Sequence, residues 1–458
     1  MECKLKKLLL KARKPKKIPP PATHIGKGYR LGSSSPEIED IWLLDASRKA
    51  HLFVFATTRT GKTRLVENMI EQDIAKGYNV VMIDPKLDNE LFSKVYQTAL
   101  KTGRENELML LSAIFPEYSV KINPLSHFYI AEEPISHIMA GVPAEDDFFY
   151  SVALETTTII VRSLLMIKAY TNDETPLTFQ EISSYAYYNG IVKLRDAIIG
   201  ISGDDTAKLL TLMDQVLSSP VDYFAKVSNT LRTTLTQMTI GNIGKIIGNA
   251  KTNEFVDRLE KGEGVILYVQ TGSMLTKKTA DILAKVMISM IQSVAGRYFA
   301  SGLAFEKPLC VYIDEMSNAV YPGIEDLFNK GGGANVYITG LTQSMADIVT
   351  ELGKDRARKL FDNTNTKIFG RVNDVESAKI ITDFGGVKNF HASMFNVDGG
   401  ITAREVEEQL VRVEDVLRLK PREIYYFGFE GEYRGKTAPV HSSEIIIKLP
   451  RLISDEKL

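Results

Sequence analysis

Positions 56–63 read Ala56-Thr57-Thr58-Arg59-Thr60-Gly61-Lys62-Thr63, the most specific chemical signal in the chain. It follows the apolar run His51 to Phe55 and precedes an amphipathic stretch that begins at Leu65. A strand, a loop and a helix in this order form the setting in which Gly-Lys-Thr binds phosphate, because backbone N–H groups of the loop and of the helix N-terminus point at the anion. The sequence therefore predicts a P-loop that binds ATP.

The loop predicts a role for each of its residues. We expect Lys62 to reach the β- and γ-phosphates and the Thr63 hydroxyl to bind Mg²⁺. Ala56 stands where such loops usually have their first glycine, and its small side chain predicts that nucleotide binding is retained. The residues between them contribute backbone N–H groups to the predicted nucleotide site: Thr57, Thr58, Arg59, Thr60 and Gly61.

Two acidic residues, Asp314 and Glu315, follow the apolar run Leu309 to Ile313. Asp314 is predicted to hold Mg²⁺ together with Thr63, and Glu315 to polarise the water that attacks the γ-phosphate. Gln343 ends the next β-type run and is predicted to sense the γ-phosphate. Ligands of parallel α/β sheets bind at the carboxyl ends of the strands, so these side chains are expected to face the P-loop.

Short, nearly continuous apolar runs recur along the chain, and several are followed by helical patterns. Such runs are typical of parallel strands that are covered on both faces, so we predict an α/β fold with a mostly parallel sheet. The predicted strands are His51 to Phe55, Asn79 to Ile83, Val265 to Val269, Leu309 to Ile313, Asn335 to Leu341, Thr366 to Val372 and Glu423 to Phe429.

Helical periodicity replaces the β-type runs in the middle of the chain, which predicts an all-helical domain inserted into the α/β domain. The stretch Ile18 to Ser35 is rich in Pro, Gly and Ser and is predicted to be an irregular linker. The predicted organisation is a basic tail and linker at 1–36, the first part of the ATPase domain at 37–125, the inserted helical domain at 126–250 and the second part of the ATPase domain at 251–458.

Composition sets the remaining bounds. The 458 residues contain 56 Lys and Arg against 57 Asp and Glu, so any affinity for nucleic acid must come from local patches. Cys3 and Cys310 cannot form a disulfide framework and indicate a reducing compartment, with the cytoplasm as the default. No run approaches the roughly 20 apolar residues that span a bilayer. The basic start, Met1 to Lys17, is either a solvated tail or a segment that binds anionic lipid or DNA.

Five motifs in this order and spacing resemble the TraG/TraD family of conjugative coupling proteins. They are Ala56 to Thr63, Ile83-Asp84-Pro85-Lys86, Ile122-Asn123-Pro124-Leu125, Ile313-Asp314-Glu315 and Gln343-Ser344. The resemblance implies a RecA-like ATPase with an inserted helical domain. It also implies a homo-hexamer at the cytoplasmic entrance of a type IV secretion channel.

The function implied by this resemblance is an ATP-dependent DNA motor and substrate receptor, with ATP and Mg²⁺ as cofactors. Its implied partners are single- or double-stranded DNA without sequence preference, a relaxase, and type IV secretion components. The implied location is the cytoplasm or the cytoplasmic face of the inner membrane. The alternative is a recruitment platform of the same system that binds nucleotide and hydrolyses it weakly or not at all.

Three departures from the family pattern bear on this implication. The family usually has N-terminal transmembrane helices, which leaves this chain peripheral or anchored by a membrane partner. Leu87 replaces a glycine of the Asp-Pro-Lys-Gly-Asp motif. Gly332 stands near where the family shows an arginine that completes the neighbouring subunit's site, so we expect weakened hydrolysis, with Lys330 or Arg371 as substitutes. An arginine introduced at Gly332 is then predicted to raise turnover on assembly, unless this glycine turn requires a positive φ.

Overall fold

The computed structural model describes residues 21–33, 36–395 and 401–452. The basic segment Met1 to Lys17, with Cys3, lies outside these residues. The described strands are β1 (Ala22–Arg30), β2 (Glu39–Leu44), β3 (Leu52–Phe55), β4 (Asn79–Asp84), β5 (Leu108–Ser112), β6 (Ile266–Gln270), β7 (Leu309–Ile313), β8 (Val336–Thr342), β9 (Thr366–Phe369), β10 (Val387–Phe395), β11 (Ile401–Gln409), β12 (Glu423–Gly428) and β13 (Gly431–Thr437).

Within the described residues, eleven strands form one sheet in the order β2-β1-β13-β12-β9-β3-β8-β7-β4-β6-β5. The strands from β9 to β5 in this order are parallel, whereas β12, β13, β1 and β2 add an antiparallel edge. β10 and β11 pair with each other as a separate antiparallel ribbon. The predicted α/β class with a mostly parallel sheet is confirmed.

Both faces of the parallel strands are buried, which explains their continuous apolar sequences. In β4, Val80 and Met82 point into one core, while Val81 and Ile83 point into the other. Each predicted strand matches an observed one to within a few residues, and β7 matches the prediction at both ends. The sequence did not predict β1, β2, β5, β10, β11 or β13.

The predicted linker at Ile18 to Ser35 is wrong over residues 22–30, which form β1 between β2 and β13. Its glycines are positions of close backbone approach and not of flexibility. A Cβ atom at Gly26 would lie 2.0 Å from the carbonyl oxygen of Lys436, and one at Gly28 would lie 2.5 Å from that of Arg434. The folded part therefore starts before Glu37, with Ile25 fully buried.

Helices cover both faces of the sheet. The α-helices are Asp45–Arg48, Lys62–Ala75, Asn89–Lys101, Glu132–Ala140, Asp147–Thr171, Phe179–Tyr185, Tyr188–Ile198, Asp204–Leu217, Val221–Val227, Asn229–Thr239, Gly241–Ile243, Glu254–Glu260, Ser273–Ala300, Glu325–Lys330, Met345–Leu352, Lys354–Asp362, Val375–Gly385 and Val413–Leu417. Only helices and turns separate residue 132 from residue 260. One apolar core includes this helical segment and one face of the sheet, so the division into domains stays a prediction.

By length and composition alone, one helix within the described residues, Asp147–Thr171, could cross a membrane. This finding corrects the expectation that no segment of the chain is long and apolar enough to span a bilayer. Its residues Ile159, Ile160 and Val161 are fully buried in the core of the helical segment.

Candidate functional site

The P-loop lies between β3 and the helix Lys62–Ala75, as predicted. Gly61 caps this helix with a φ of 108°, a conformation that glycine adopts without strain. The backbone on either side is tied to the sheet: the Ala56 N–H donates to the Thr342 carbonyl (3.2 Å), and the Thr57 N–H donates to the Arg371 carbonyl (2.9 Å). The loop is thus held at the carboxyl ends of β3, β8 and β9.

The loop leaves donors for an anion. Within the described residues, the backbone N–H groups of Thr58, Arg59, Thr60 and Gly61 donate to no protein acceptor. No side chain caps the first turn of the helix Lys62–Ala75, so its N-terminal N–H groups are also open. Unpaired donors at a helix N-terminus match the needs of a phosphate group, so the loop fits a nucleotide.

The ammonium group of Lys62 folds back onto the loop. It donates to the Ala56 carbonyl and, at 3.1 Å, to the Thr57 carbonyl. Burial lowers the pKa of Lys62 to about 8, against the opposing field of Asp314. Phosphate oxygens would offer this buried cation stronger partners than two neutral carbonyls do. The half-exposed Thr63 lies beside it in the first helical turn.

Asp314, Glu315 and Gln343 follow β7 and β8, and the sheet brings them to the edge that carries the P-loop. Asp314 is buried, and its Oδ1 accepts the Glu315 N–H at 3.0 Å. Glu315 has a left-handed backbone with a φ of 48°, and its Oε1 lies 3.5 Å from Gln343 Nε2. Strained backbone of this kind is concentrated at functional sites, and here it turns a carboxylate toward the open edge.

Lys86 joins this cluster, although no role was predicted for it. Its Nζ lies 2.8 Å from Asp314 Oδ2 and 3.2 Å from Glu315 Oε1. Burial opposes a charge here, yet the two carboxylates hold the pKa of Lys86 above its usual value. The motif Ile83 to Lys86 was noticed in the sequence, but only the fold shows that this side chain reaches across to the end of β7.

The turn after β4 holds Lys86 in place. Asp84 is buried and accepts the N–H groups of Lys86 (2.8 Å) and Asp88 (2.7 Å) and the Tyr268 hydroxyl (2.9 Å). Burial raises the pKa of Asp84 to about 6. Leu87 has a φ of 59°. The position is left-handed, which explains a glycine there in the family and gives Leu87 a cost of roughly 1–2 kcal/mol.

Further residues contact the P-loop from the C-terminal strands. Arg371 follows Gly370, and its side chain is exposed beside the loop of its own chain. Asn373 donates through Nδ2 to the Thr57 hydroxyl at 3.1 Å, and the Arg422 N–H donates to the Thr60 carbonyl at 2.8 Å. Arg422 has a φ of 71°. Sequence reasoning missed Asn373 and Arg422, because neither stands in a recognisable motif.

The glycine turn before β8 lies at the amino edge of the sheet, opposite the P-loop. A Cβ atom at Gly332 would lie 2.0 Å from the Lys49 carbonyl oxygen, so an arginine does not fit there. Gly331 to Ala334 form a 3-10 turn in which no glycine has a positive φ. The expected positive φ at Gly332 is therefore wrong, since close packing is what requires the glycine. Raised turnover in an arginine variant stays a prediction, and the clash with Lys49 counts against it. Lys330 is exposed and pairs with Asp326 at 3.2 Å.

A polar cavity of about 360 Å³ opens beside Glu315 and Gln343. Lys277 and Asp347 also line this cavity. The predicted water-activating residue is thus accessible from solvent.

Comparisons with known proteins agree with this geometry. Residues 308–421 match the family model described as the TraM recognition site of TraD and TraG, a range that contains Asp314, Glu315, Gln343 and Arg371. The type 4 coupling protein DotL of Legionella pneumophila is 28% identical over 90 residues, which are 19% of this chain and 12% of DotL. The match thus spans a small part of that relative's length.

Solved structures extend the likeness to most of the chain. The bacterial conjugative coupling protein TrwBdeltaN70 has a TM-score of 0.68 at 14% identity, over 93% of this chain and 96% of that one. These matches confirm the resemblance to conjugative coupling proteins. TrwB in complex with ADP and Mg²⁺ has a TM-score of 0.65 at 14% identity, over 93% and 97%. VirB4 of Thermoanaerobacter pseudethanolicus has a TM-score of 0.54 at 13% identity, over 91% and 97%.

Proposed function

We propose that this coupling-protein-like chain is an ATPase that moves DNA, or a relaxase–DNA complex, into a type IV secretion channel. The observation that carries the proposal is the meeting of the P-loop with Asp314, Glu315 and Gln343 at one edge of a parallel sheet. The TrwB structure with ADP and Mg²⁺ supports the same cofactors for this chain.

Each side chain of the site has a proposed role. The P-loop N–H groups and Lys62 bind the phosphates, while the Thr63 hydroxyl and the Asp314 carboxylate hold Mg²⁺. A bound Mg²⁺ neutralises charge on the phosphates. Glu315 orients the attacking water and accepts its proton, and Gln343 reports the state of the γ-phosphate. Arg371, exposed beside the loop, supplies a further cation for the transferring group.

The proposed assembly is a homo-hexamer that binds single- or double-stranded DNA through its phosphates, without sequence preference. It acts at the cytoplasmic face of the inner membrane, and the relaxase and secretion components are its protein partners. Because such binding releases counterions, log affinity for DNA should fall linearly with log salt concentration. Affinity that ignores salt would favour a protein-only substrate.

DNA-stimulated turnover tests the proposal. We expect ATP hydrolysis by the full chain to accelerate when single- or double-stranded DNA is added, with native mass recorded in parallel. Binding of ATP with no acceleration by DNA would instead indicate the recruitment platform. Lys62→Ala is the control for a contaminating ATPase, since it removes the phosphate-binding cation.

Glu315→Gln tests the assignment of the base. The amide keeps the shape of the side chain but cannot accept the proton from water, so we expect ATP to bind and remain uncleaved. Single-turnover measurements with radiolabelled ATP would show bound ATP that is not cleaved. Turnover at the wild-type rate would remove Glu315 from the mechanism.

A further inference from the structure

The ammonium group of Lys86 occupies the predicted metal position beside Asp314. Both oxygens of the Asp314 carboxylate are engaged, Oδ1 by the Glu315 N–H and Oδ2 by Lys86 Nζ. The same ammonium group lies 3.2 Å from Glu315 Oε1. A metal ion at Asp314 therefore competes with the Lys86 ammonium group for the same carboxylate, and the repulsion between the two cations favours the release of Lys86 from Oδ2.

Once the Lys86 ammonium group leaves Asp314, it needs another anionic partner within reach of its side chain. Its backbone is fixed by the Asp84 carboxylate and by the left-handed turn at Leu87, so only the flexible side chain moves. Lys62 Nζ lies on the loop carbonyls of Ala56 and Thr57, and Lys86 Nζ lies on the carboxylates that follow β7, at the same edge of the sheet as the P-loop. A triphosphate on the P-loop would bring its terminal phosphate toward Asp314 and give both cations an anionic partner.

We propose that Lys86 is a γ-phosphate sensor in cis. It pairs with Asp314 and Glu315 before nucleotide binds, and it transfers to the terminal phosphate of a bound nucleoside triphosphate when Asp314 takes up the metal. This inference rests on the proposed function. It also supplies a cation in the subunit's own site, whereas the packing of Gly332 on Lys49 excludes an arginine from the glycine turn at the opposite edge of the sheet.

The exchange predicts a preference for triphosphate over diphosphate that depends on Lys86. A nucleoside diphosphate displaces Lys86 from Asp314 and leaves it only Glu315, whereas a triphosphate adds its terminal phosphate as a partner. A charge-assisted hydrogen bond of this kind contributes about a tenfold or greater change in affinity.

The test compares two affinities in four proteins. A non-hydrolysable ATP analogue and ADP are titrated with Mg²⁺ into the wild-type chain, Lys86→Met, Lys86→Arg and Lys277→Met. Methionine keeps much of the length of the side chain and removes the charge, and Lys86 is 35% exposed, so the fold should tolerate it. Lys277 is an exposed lysine in the cavity beside Glu315 and serves as the matched control.

In Lys86→Met we expect the ratio of ATP-analogue affinity to ADP affinity to fall about tenfold or more, with ADP binding kept or tightened. Binding of ADP should also need less Mg²⁺, since Asp314 has lost its competing cation. Lys86→Arg should keep most of the preference, and Lys277→Met all of it.

Two results would overturn the inference. If both affinities change equally in Lys86→Met, the lysine only neutralises the carboxylates. If neither changes, it has no part in nucleotide binding. Failure of the proposed function is separate from both results: ATP hydrolysis that DNA does not accelerate in the wild-type chain would reject the DNA motor and leave the two affinities in Lys86→Met unaffected.

Discussion

Gly370→Ala should weaken the P-loop through a steric conflict with Ala56. Ala56 stands where P-loops usually have a glycine, and its methyl group faces Gly370 on the neighbouring strand. A Cβ atom at Gly370 would lie 2.8 Å from Ala56 Cβ, whereas carbon atoms pack at about 3.5–4.0 Å. The ends of β3 and β9 must then separate by roughly 1 Å, and such overpacking costs about 1–3 kcal/mol.

Ala56→Gly should rescue this variant, because it removes one of the two colliding methyl groups. We expect Gly370→Ala to lower the free energy of unfolding by about 1–3 kcal/mol in urea denaturation and to weaken ATP binding. In the double variant both losses should largely disappear. Gly200→Ala is the control: a Cβ atom there meets nothing within 4 Å, so its effect should stay within about 0.5 kcal/mol. Strictly additive effects of Gly370→Ala and Ala56→Gly would show that the two methyl groups do not collide.

Two further predictions concern stability. Arg48 donates to both oxygens of the fully buried Asp73, at 2.6 and 2.7 Å, and so ties the P-loop helix to the helix Asp45–Arg48. Asp73→Asn should cost about 3–5 kcal/mol in urea denaturation, whereas Asp214→Asn, at a half-exposed pair, should cost less than about 1 kcal/mol. Equal losses of unfolding free energy in Asp73→Asn and Asp214→Asn would show that burial does not strengthen the dependence on the ion pair. Burial lowers the pKa of His51 to about 4 and that of His137 to about 3, so both imidazoles stay neutral in the folded chain. In the unfolded chain each imidazole takes up a proton as the pH falls below 6.5, so each should lower the free energy of unfolding by roughly 1.4 kcal/mol per pH unit. His137→Gln should reduce this slope, and an unchanged slope would contradict the argument.

The parallel part of the sheet could be predicted because burial on both faces leaves a direct trace in sequence. Strands such as β4 and β7 read as unbroken apolar runs, and the P-loop identified β3 through the loop that follows it. The antiparallel edge leaves no such trace. In β1, Gly26 and Gly28 suggested a linker, and only the approach of β13 shows why glycine is needed there.

The candidate site was predictable where a residue stands directly after a strand. Lys62, Thr63, Asp314, Glu315 and Gln343 all meet at one edge, although their roles stay predictions. Lys86 and Gly332 show what the sequence could not reveal. The reach of a long side chain across two strand ends, and the packing of a turn on the distant Lys49, depend on contacts between residues far apart in the chain.

ATP-driven movement along DNA is the defining property of the proposed motor. The assay is displacement of a third strand from triplex DNA, with streptavidin release from biotinylated single strands as its counterpart. We predict that the wild-type chain displaces the strand with ATP and Mg²⁺, and that Lys62→Ala and a non-hydrolysable ATP analogue both abolish displacement. Vigorous hydrolysis of ATP without displacement on either substrate would contradict the account.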